Sequence, residues 1–299
     1  IDAHNLVKYA DAAMYKAKEE GRNNFQFYSS EMTALALERV VMETNLRQAL
    51  KKEEFLIYYQ SQVDANSVKL TGLEALIRWQ HPTRGLVSPV SFIPVAEKTG
   101  MILKIGKWCL KSVCKQTKLW VEMGAKDIRT SVNVSAIEFT HDDFKENVTS
   151  ALKETGLDAR HLEIEITEST IMADQEAAHK LIDELRFMGV RTTLDDFGTG
   201  YSSLSYLGNM DFDWLKLDRS FLLKAMDNYR SRKIYTSIVK MVHTAGIKVV
   251  AEGIETQEQL TYINGLNIDE IQGYLIGKPG DADSTTNLLF PELNKKYSS

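Results

Sequence analysis

Cysteine and proline are both scarce, at two and five among 299 residues. Cys109 and Cys114 share one helical pattern, Trp108-Cys-Leu-Lys-Ser-Val-Cys114, and their spacing puts them on different sides of that helix. A disulfide framework is therefore not expected, a reducing cytoplasmic compartment fits, and both cysteines read as core residues. Long apolar runs are missing too. No stretch approaches the roughly 18 residues needed to span a bilayer, and no signal pattern follows Ile1. Membrane contact by this fragment is not expected, while a membrane-anchored parent protein stays open. Basic runs are also missing: 36 Lys and Arg stand against 41 Asp and Glu, a net charge of −5. That argues against a polymeric nucleic-acid partner, so an anionic ligand would have to be met by local cations or metal ions.

What is present is the material for a sizeable core, with 43% hydrophobic residues. At the N-terminus, residues 5–20 have helical spacing with Gly21 as terminator, and residues 24–28 read as a short strand. One helix and one strand cannot bury a core of their own. Residues 32–52 form a second helical pattern without Gly or Pro, a stiff connector, which places a boundary in the low forties. Ile1 is not a methionine, and an upstream segment is expected.

From Glu54 on, the pattern alternates strands with helices. Strands are expected at 55–60, 69–77, 128–134, 162–167, 191–195, 214–217, 247–252 and 270–275. Helices are expected at 103–123, 143–155, 174–188, 231–245 and 257–264, with shorter ones near Leu204 and Phe221. This is the size and order of an α/β fold of the (β/α)8 TIM-barrel type. The link 63–68 is too short for a crossover helix, so the first strand should run antiparallel to the second and the barrel should be irregular there.

Barrel enzymes carry their chemistry at the C-terminal ends of the strands. Polar residues fall at or near those ends in turn: Gln60, Glu74, Asn133, Glu165, Asp195 with Asp196, Lys216 with Asp218, Glu252 and Gln272. Each alone could be a turn residue, a helix cap or a solvated side chain, and the Asp195-Asp196 pair could simply cap a following helix. Their recurrence on one rim favours a site. Carboxylates and an amide without His or Cys make a hard oxygen site, suited to Mg²⁺ or Mn²⁺ rather than Zn²⁺. So many carboxylates around one lysine suggest two cations sharing a ligand, with Asp195 as the natural bridge. Lys216 would hold or polarise the attacking water, Glu252 would ligate the second ion or accept a proton, and Arg78 would clamp a substrate phosphate.

Here the chain resembles a known family. Glu74-Ala-Leu-Ile-Arg-Trp79 carries the name motif of the EAL domain, the cyclic di-GMP phosphodiesterases. Beside it stand Phe92-Ile-Pro94, Ala96-Glu97, Asn133-Val-Ser135, Glu165-Ile-Thr-Glu168, Asp195-Asp-Phe-Gly-Thr-Gly200, Lys216-Leu-Asp218, Ala251-Glu-Gly-Ile-Glu255 and Gln272-Gly-Tyr274. The resemblance implies a barrel with an antiparallel first strand and a Mg²⁺- or Mn²⁺-dependent hydrolysis of cyclic di-GMP to pGpG. It implies Glu74, Asn133, Glu165 and Asp195 as ligands of one ion, and Asp195, Asp196 and Glu252 around a second. Lys216 and Gln272 would orient the water, with Glu252 as a candidate base. Glu168 would steady the loop 195–204, and Gln60, Leu76, Arg78, Asp218 and Glu255 would contact substrate. That loop and the helix after it resemble the family's dimerisation element, so a homodimer through the barrel is expected. Ca²⁺, larger and looser in geometry, is expected to inhibit.

Ala10-Asp-Ala-Ala-Met-Tyr-Lys-Ala-Lys18 with Gly21-Arg-Asn23 is similar to the end of a GGDEF (diguanylate cyclase) domain whose signature is absent here. The expected organisation is a GGDEF remnant at 1–28, a linker helix at 29–41 and the EAL domain at 42–299. Two departures from the family pattern, Tyr59-Gln-Ser61 for Tyr-Gln-Pro and Lys278-Pro-Gly280 for Pro-Leu, touch no metal ligand and should alter substrate affinity at most. A non-catalytic cyclic di-GMP receptor and a dimerising regulatory scaffold remain the alternatives to an active enzyme.

Overall fold

Successive residues of a β-strand face opposite ways, and in this chain one of those faces closes into the inside of a barrel. The strands are β1 (Phe55–Asp64), β2 (Leu70–His81), β3 (Gly85–Val87), β4 (Arg129–Val134), β5 (Leu162–Thr167), β6 (Arg191–Phe197), β7 (Trp214–Leu217), β8 (Lys248–Ala251) and β9 (Glu270–Gln272). They belong to a computed structural model that describes residues 2–19, 23–198, 208 and 210–291. The chain forms two units, one of Ile1–Phe55 with Trp79–Met101 and one of Leu56–Arg78 with Ile102–Ser299.

The larger unit carries the barrel. Its strand order is β1-β9-β8-β7-β6-β5-β4-β2, closed by pairing of β1 with β2. Neighbours from β2 through β4 to β9 run parallel, whereas β1 is antiparallel to β9. The expected irregular eight-stranded barrel is therefore what forms. The β1–β2 turn is tied by Asp64 Oδ1, which accepts from the backbone of Asn66 and Ser67 and from Ser67 Oγ.

On β5, Leu162, Ile164 and Ile166 are fully buried in the apolar core, each such side chain contributing about 2 kcal/mol. Glu163 and Glu165 alternate with them and face the barrel interior, where they meet Arg129 and Lys216. Helices Ile102–Met123, Phe144–Thr155, Gln175–Phe187, Arg219–Asp227, Tyr229–Thr244 and Gln257–Asn264 lie near their expected ranges. The helix expected near Leu204 lies outside the described residues.

Several elements differ from the sequence expectation. β1 and β2 outrun their ranges because the antiparallel pairings extend them. Helices Ala136–Phe139, Glu168–Ala173 and Ala282–Leu289 were not expected; the first two are too short to display a helical period, and the third is mostly Asp, Ser, Thr and Asn, residues that favour caps and turns. Pro89–Lys98 was also missed: Pro89 suits its first turn, but Pro94 inside it reads as a breaker.

In the smaller unit, helices Ala3–Glu19 and Ser30–Ala49 accompany the β2–β3 hairpin end and Pro89–Lys98. Its core is aromatic: Phe55, Trp79 and Phe92 are mutually in contact, and Trp79 Nε1 donates to Glu54 Oε2 at 3.0 Å. The strand expected at 24–28 does not form. Phe25 and Phe27 are largely exposed and, among the described residues, pair with no strand, while Tyr28 stacks on Tyr9. The connector helix runs unbroken past the low forties, and Gly21 lies outside the described residues. No described helix is long and apolar enough to cross a membrane.

Candidate active site

Residues of seven strands, with Glu252 just beyond β8, converge toward the C-terminal end of the barrel. Lys216 on β7 is the hub, 1% exposed. Its Nζ lies 2.8 Å from Glu165 Oε2, 2.8 Å from Glu252 Oε1, 3.3 Å from Glu74 Oε2 and 3.5 Å from Asp195 Oδ1. Glu74 is held on both oxygens, accepting from Asn133 Nδ2 at 2.6 Å and from Gln272 Nε2 at 2.5 Å. Gln272 also donates to Gln60 Oε1, and Gln60 donates to the Gly277 carbonyl, both at 3.0 Å. Eight of the residues expected at the site thus form one connected cluster.

The electrostatics are lopsided. Burial disfavours the Lys216 charge, but Asp195, Glu165, Glu252 and Glu74 together hold its pKa well above the usual value. One lysine cannot satisfy every carboxylate. Burial pushes Glu165 well up, opposed by Lys216 and reinforced by Glu74 and Asp195. Asp195 is raised chiefly by burial, Asp196 by burial and then by Asp195, and burial carries Glu252 up to about 8. Glu74 alone is lowered, because Lys216, Gln272 and Asn133 together outweigh its burial.

Asp195 and Asp196 would face opposite sides of a regular strand. The register between β6 and β7 shifts after Leu194, and Asp196 sits at φ +58°, a left-handed conformation that aspartate tolerates. This break in alternation keeps the Asp196 charge near Asp195, Asp218, Lys216 and Glu74. It also carries β6 on to Phe197, so Asp195 is not the final residue of its strand.

The remaining expected residues lie around this cluster. Asp218 caps the next helix, accepting from Ser220 N at 2.8 Å. Glu255 pairs with Arg219 at 2.8 Å. The Arg78 guanidinium lies over the Tyr58 ring, 5.6 Å from its centre, and donates to the Ile77 carbonyl. Leu76 is half-buried on β2, and Glu168 is buried at the start of helix Glu168–Ala173. Residues 199–207 of the expected dimerisation element lie outside the described residues.

A second polar layer, toward the N-terminal ends of the strands, escaped the sequence reading. Arg129 is 2% exposed; its Nε is 2.6 Å from Glu163 Oε2, its Nη1 is 3.0 Å from Glu270 Oε1, and Nη2 also pairs with Glu270. Thr193 Oγ1 donates to Glu163 Oε1 at 2.7 Å, and the guanidinium lies 4.7 Å from the Trp214 ring centre. The signal was available in the strand period: Glu163 stands two residues before Glu165 on β5, and Glu270 two before Gln272 on β9, hence on the same inner faces.

Could the upper cluster hold metal ions? Its donor set is carboxylate and amide oxygen, the chemistry of a hard divalent cation. Glu165 Oε1 is buried without a hydrogen-bond partner, and four carboxyls have raised pKa values, so additional positive charge is accommodated. Among the described residues no three acidic, His or Cys side chains stand as a ready-made cage. Instead the carboxylates turn onto Lys216. The residue types fit a divalent cation.

Comparisons with known proteins identify the family and the fold. The EAL domain family model matches residues 43–279. The bifunctional diguanylate cyclase/cyclic di-GMP phosphodiesterase MucR of Pseudomonas aeruginosa is 42% identical over 280 residues, which is 94% of this chain and 41% of MucR. The cyclic di-GMP phosphodiesterase PdeR of Escherichia coli K12 is 34% identical over 296 residues, 99% of this chain and 44% of PdeR. The chain thus spans less than half the length of these relatives. The solved PaMucR phosphodiesterase in its c-di-GMP complex superposes with a TM-score of 0.79 at 40% identity, covering 82% of this chain and 99% of that one. By fold, by the residues gathered on Lys216 and by these likenesses, the chain belongs to the EAL domain family.

Proposed function

We propose that this chain hydrolyses one phosphodiester bond of cyclic di-GMP, giving linear pGpG, with two Mg²⁺ or Mn²⁺ ions. The observation that carries the reading is the convergence of Glu74, Glu165, Asp195 and Glu252 on one buried lysine beside two oriented amides. Membership of a family whose relatives are named cyclic di-GMP phosphodiesterases supports the substrate.

Glu74, Asn133, Glu165 and Asp195 would hold one ion, and Asp195, Asp196 and Glu252 the other. When bound, such ions stabilise charge on a phosphoryl group and lower the pKa of water. Lys216 Nζ and Gln272 Nε2 both reach Glu74 Oε2, and these two neighbouring donors would orient the attacking water. Glu252, 2.8 Å from Lys216 Nζ, lies within reach of that water as the proton acceptor. Water adds its oxygen to phosphorus as its proton passes to the Glu252 carboxylate, the bond from phosphorus to the ribose oxygen breaks, and that oxygen takes up the proton Glu252 accepted. Arg78 meets a substrate phosphate, while Gln60, Leu76, Asp218 and Glu255 contact the nucleotide. Glu168 steadies the loop 195–204. Ca²⁺ would occupy the site without supporting turnover.

In this reading residues 1–28 are the remnant of a GGDEF domain, 29–41 a linker and 42–299 the catalytic domain of a cytoplasmic homodimer. The deciding experiment incubates the purified chain with cyclic di-GMP and Mg²⁺ or Mn²⁺ and separates the products. pGpG that disappears on chelation is expected; binding without turnover overturns the hydrolase in favour of a receptor.

A further inference from the structure

A donor-to-acceptor line runs from the N-terminal polar layer of the barrel into the proposed active site. Arg129 Nη2 donates to Gln62 Oε1 at 3.1 Å, and Gln62 Nε2 donates to Gln272 Oε1 at 3.0 Å. Gln272 Nε2 then donates to Glu74 Oε2 and to Gln60 Oε1. Arg129, Gln62 and Gln272 are 2%, 0% and 4% exposed, so the line is shielded from bulk solvent.

A carboxamide can be turned over, exchanging its oxygen for its NH2 group with little change of shape. In this line neither amide can turn. A guanidinium only donates, so Gln62 must present its oxygen to Arg129 and its NH2 to Gln272. Gln272 must then offer its oxygen to Gln62, which leaves its NH2 for the active site. The far end agrees: Gln60 donates to the Gly277 carbonyl, a pure acceptor, and so turns its own oxygen to Gln272. Arg129 is itself pinned by Glu163 and Glu270. Position 72 carries no side chain, and a Cβ there would lie 2.7 Å from Gln62 Oε1 and 2.9 Å from Arg129 Cζ.

We infer that Gln62 and Arg129 are positioning residues: from behind the amide, as Gln60 and Glu74 do from in front, they hold the face that Gln272 turns to Glu74, so that it offers a donor and not an acceptor. The inference rests on the hydrolase reading for its kinetic consequence, though not for its structural one. With the wild-type amide, Glu74 and Gln60 meet N–H groups. With the amide reversed, a carbonyl oxygen would face the Glu74 carboxylate and repel it.

The test is a double-mutant cycle on cyclic di-GMP hydrolysis with Mg²⁺, using Gln62→Leu, Gln272→Ala and the double variant. Gln62→Leu should lower kcat by about tenfold, the worth of one well-placed hydrogen bond, and leave KM nearly unchanged. In the Gln272→Ala background the same change should cost less than about twofold. An equal fold-loss in both backgrounds would mean a merely structural role and overturn the inference. A second readout needs neither turnover nor a folded Gln62 variant. In ¹⁵N-glutamine-labelled wild-type protein, the side-chain NH2 signal that vanishes in Gln272→Ala should exchange with solvent over minutes or longer; exchange within seconds overturns it. Failure of the wild-type protein to release pGpG would sink the hydrolase reading while the exchange result still judged this one.

Discussion

Lys216 Nζ stands 2.8 Å from Glu165 Oε2, and neither side chain is more than 1% exposed. A buried ion pair is a weak source of stability, but breaking one strands the partner, at about 3–5 kcal/mol. Here Glu74, Asp195 and Glu252 would be stranded as well. Lys216→Met should therefore lose at least that much stability in urea unfolding at pH 8 with chelator present. It should also recover part of the loss on adding Mg²⁺, since a ligand that binds only the folded state stabilises it. An unchanged unfolding midpoint would contradict the electrostatic account.

Glu74→Ala and Asp195→Asn should each lower turnover of cyclic di-GMP by at least about 100-fold, because charge stabilisation at a metal site is worth several kcal/mol. Initial rates of pGpG release measure this. Near-normal rates in either variant would refute the ligand assignment.

Replacing Mg²⁺ by Ca²⁺ should suppress hydrolysis while leaving nucleotide binding measurable by calorimetry. Ca²⁺ takes more ligands at longer distances, and so holds a water less tightly against phosphorus. Equal rates with the two ions would count against a site that depends on tight coordination.

Gly273 follows Gln272 directly, and a Cβ there would fall 2.2 Å from both the nitrogen and the oxygen of Ile254. Those are backbone atoms of the segment after Glu252, so relief requires moving that segment or Gln272 itself. Gly273→Ala should cost about 1–3 kcal/mol of stability and lower activity by displacing both residues. Retention of wild-type kcat and unfolding midpoint would show that the loop yields freely.

Cys109 and Cys114 are both free and buried, and burial raises each thiol, Cys114 to about 12. At pH 8 they should therefore be nearly all thiol and shielded. Iodoacetamide should leave the native protein unlabelled and modify both cysteines in urea, as mass spectrometry would read. Rapid native labelling would indicate opening of helix Ile102–Met123.

The barrel was legible because its strands are written in period two. β5 and β7 form over their expected residues, and the short link after β1 required an antiparallel start. The eight clustered site residues were legible for a related reason, since polar side chains recur near the ends of the expected strands, although Gln60 and Glu74 fall inside the longer β1 and β2. What escaped were features without a local period. The strand expected at 24–28 had the right residues, but among the described residues it joins no sheet. The bulge at Asp196 depends on the register with β7. Arg129 lay within the strand expected at 128–134 without being singled out, because its ion cluster needs side chains from three separate strands.

Taken alone, the chain specifies which residues alternate, where a turn must be tight, which cysteines cannot pair, and that hard oxygen donors recur at strand ends. These are properties of neighbours within a few residues of each other, and local geometry settles them. The closed sheet alone brings Gln62 beside Gln272 and Arg129 beside Glu270, across separations of 210 and 141 residues. Hydrogen-bond direction and pKa depend on distances of a few ångströms across the barrel interior. Those distances exist only once every strand has found its register.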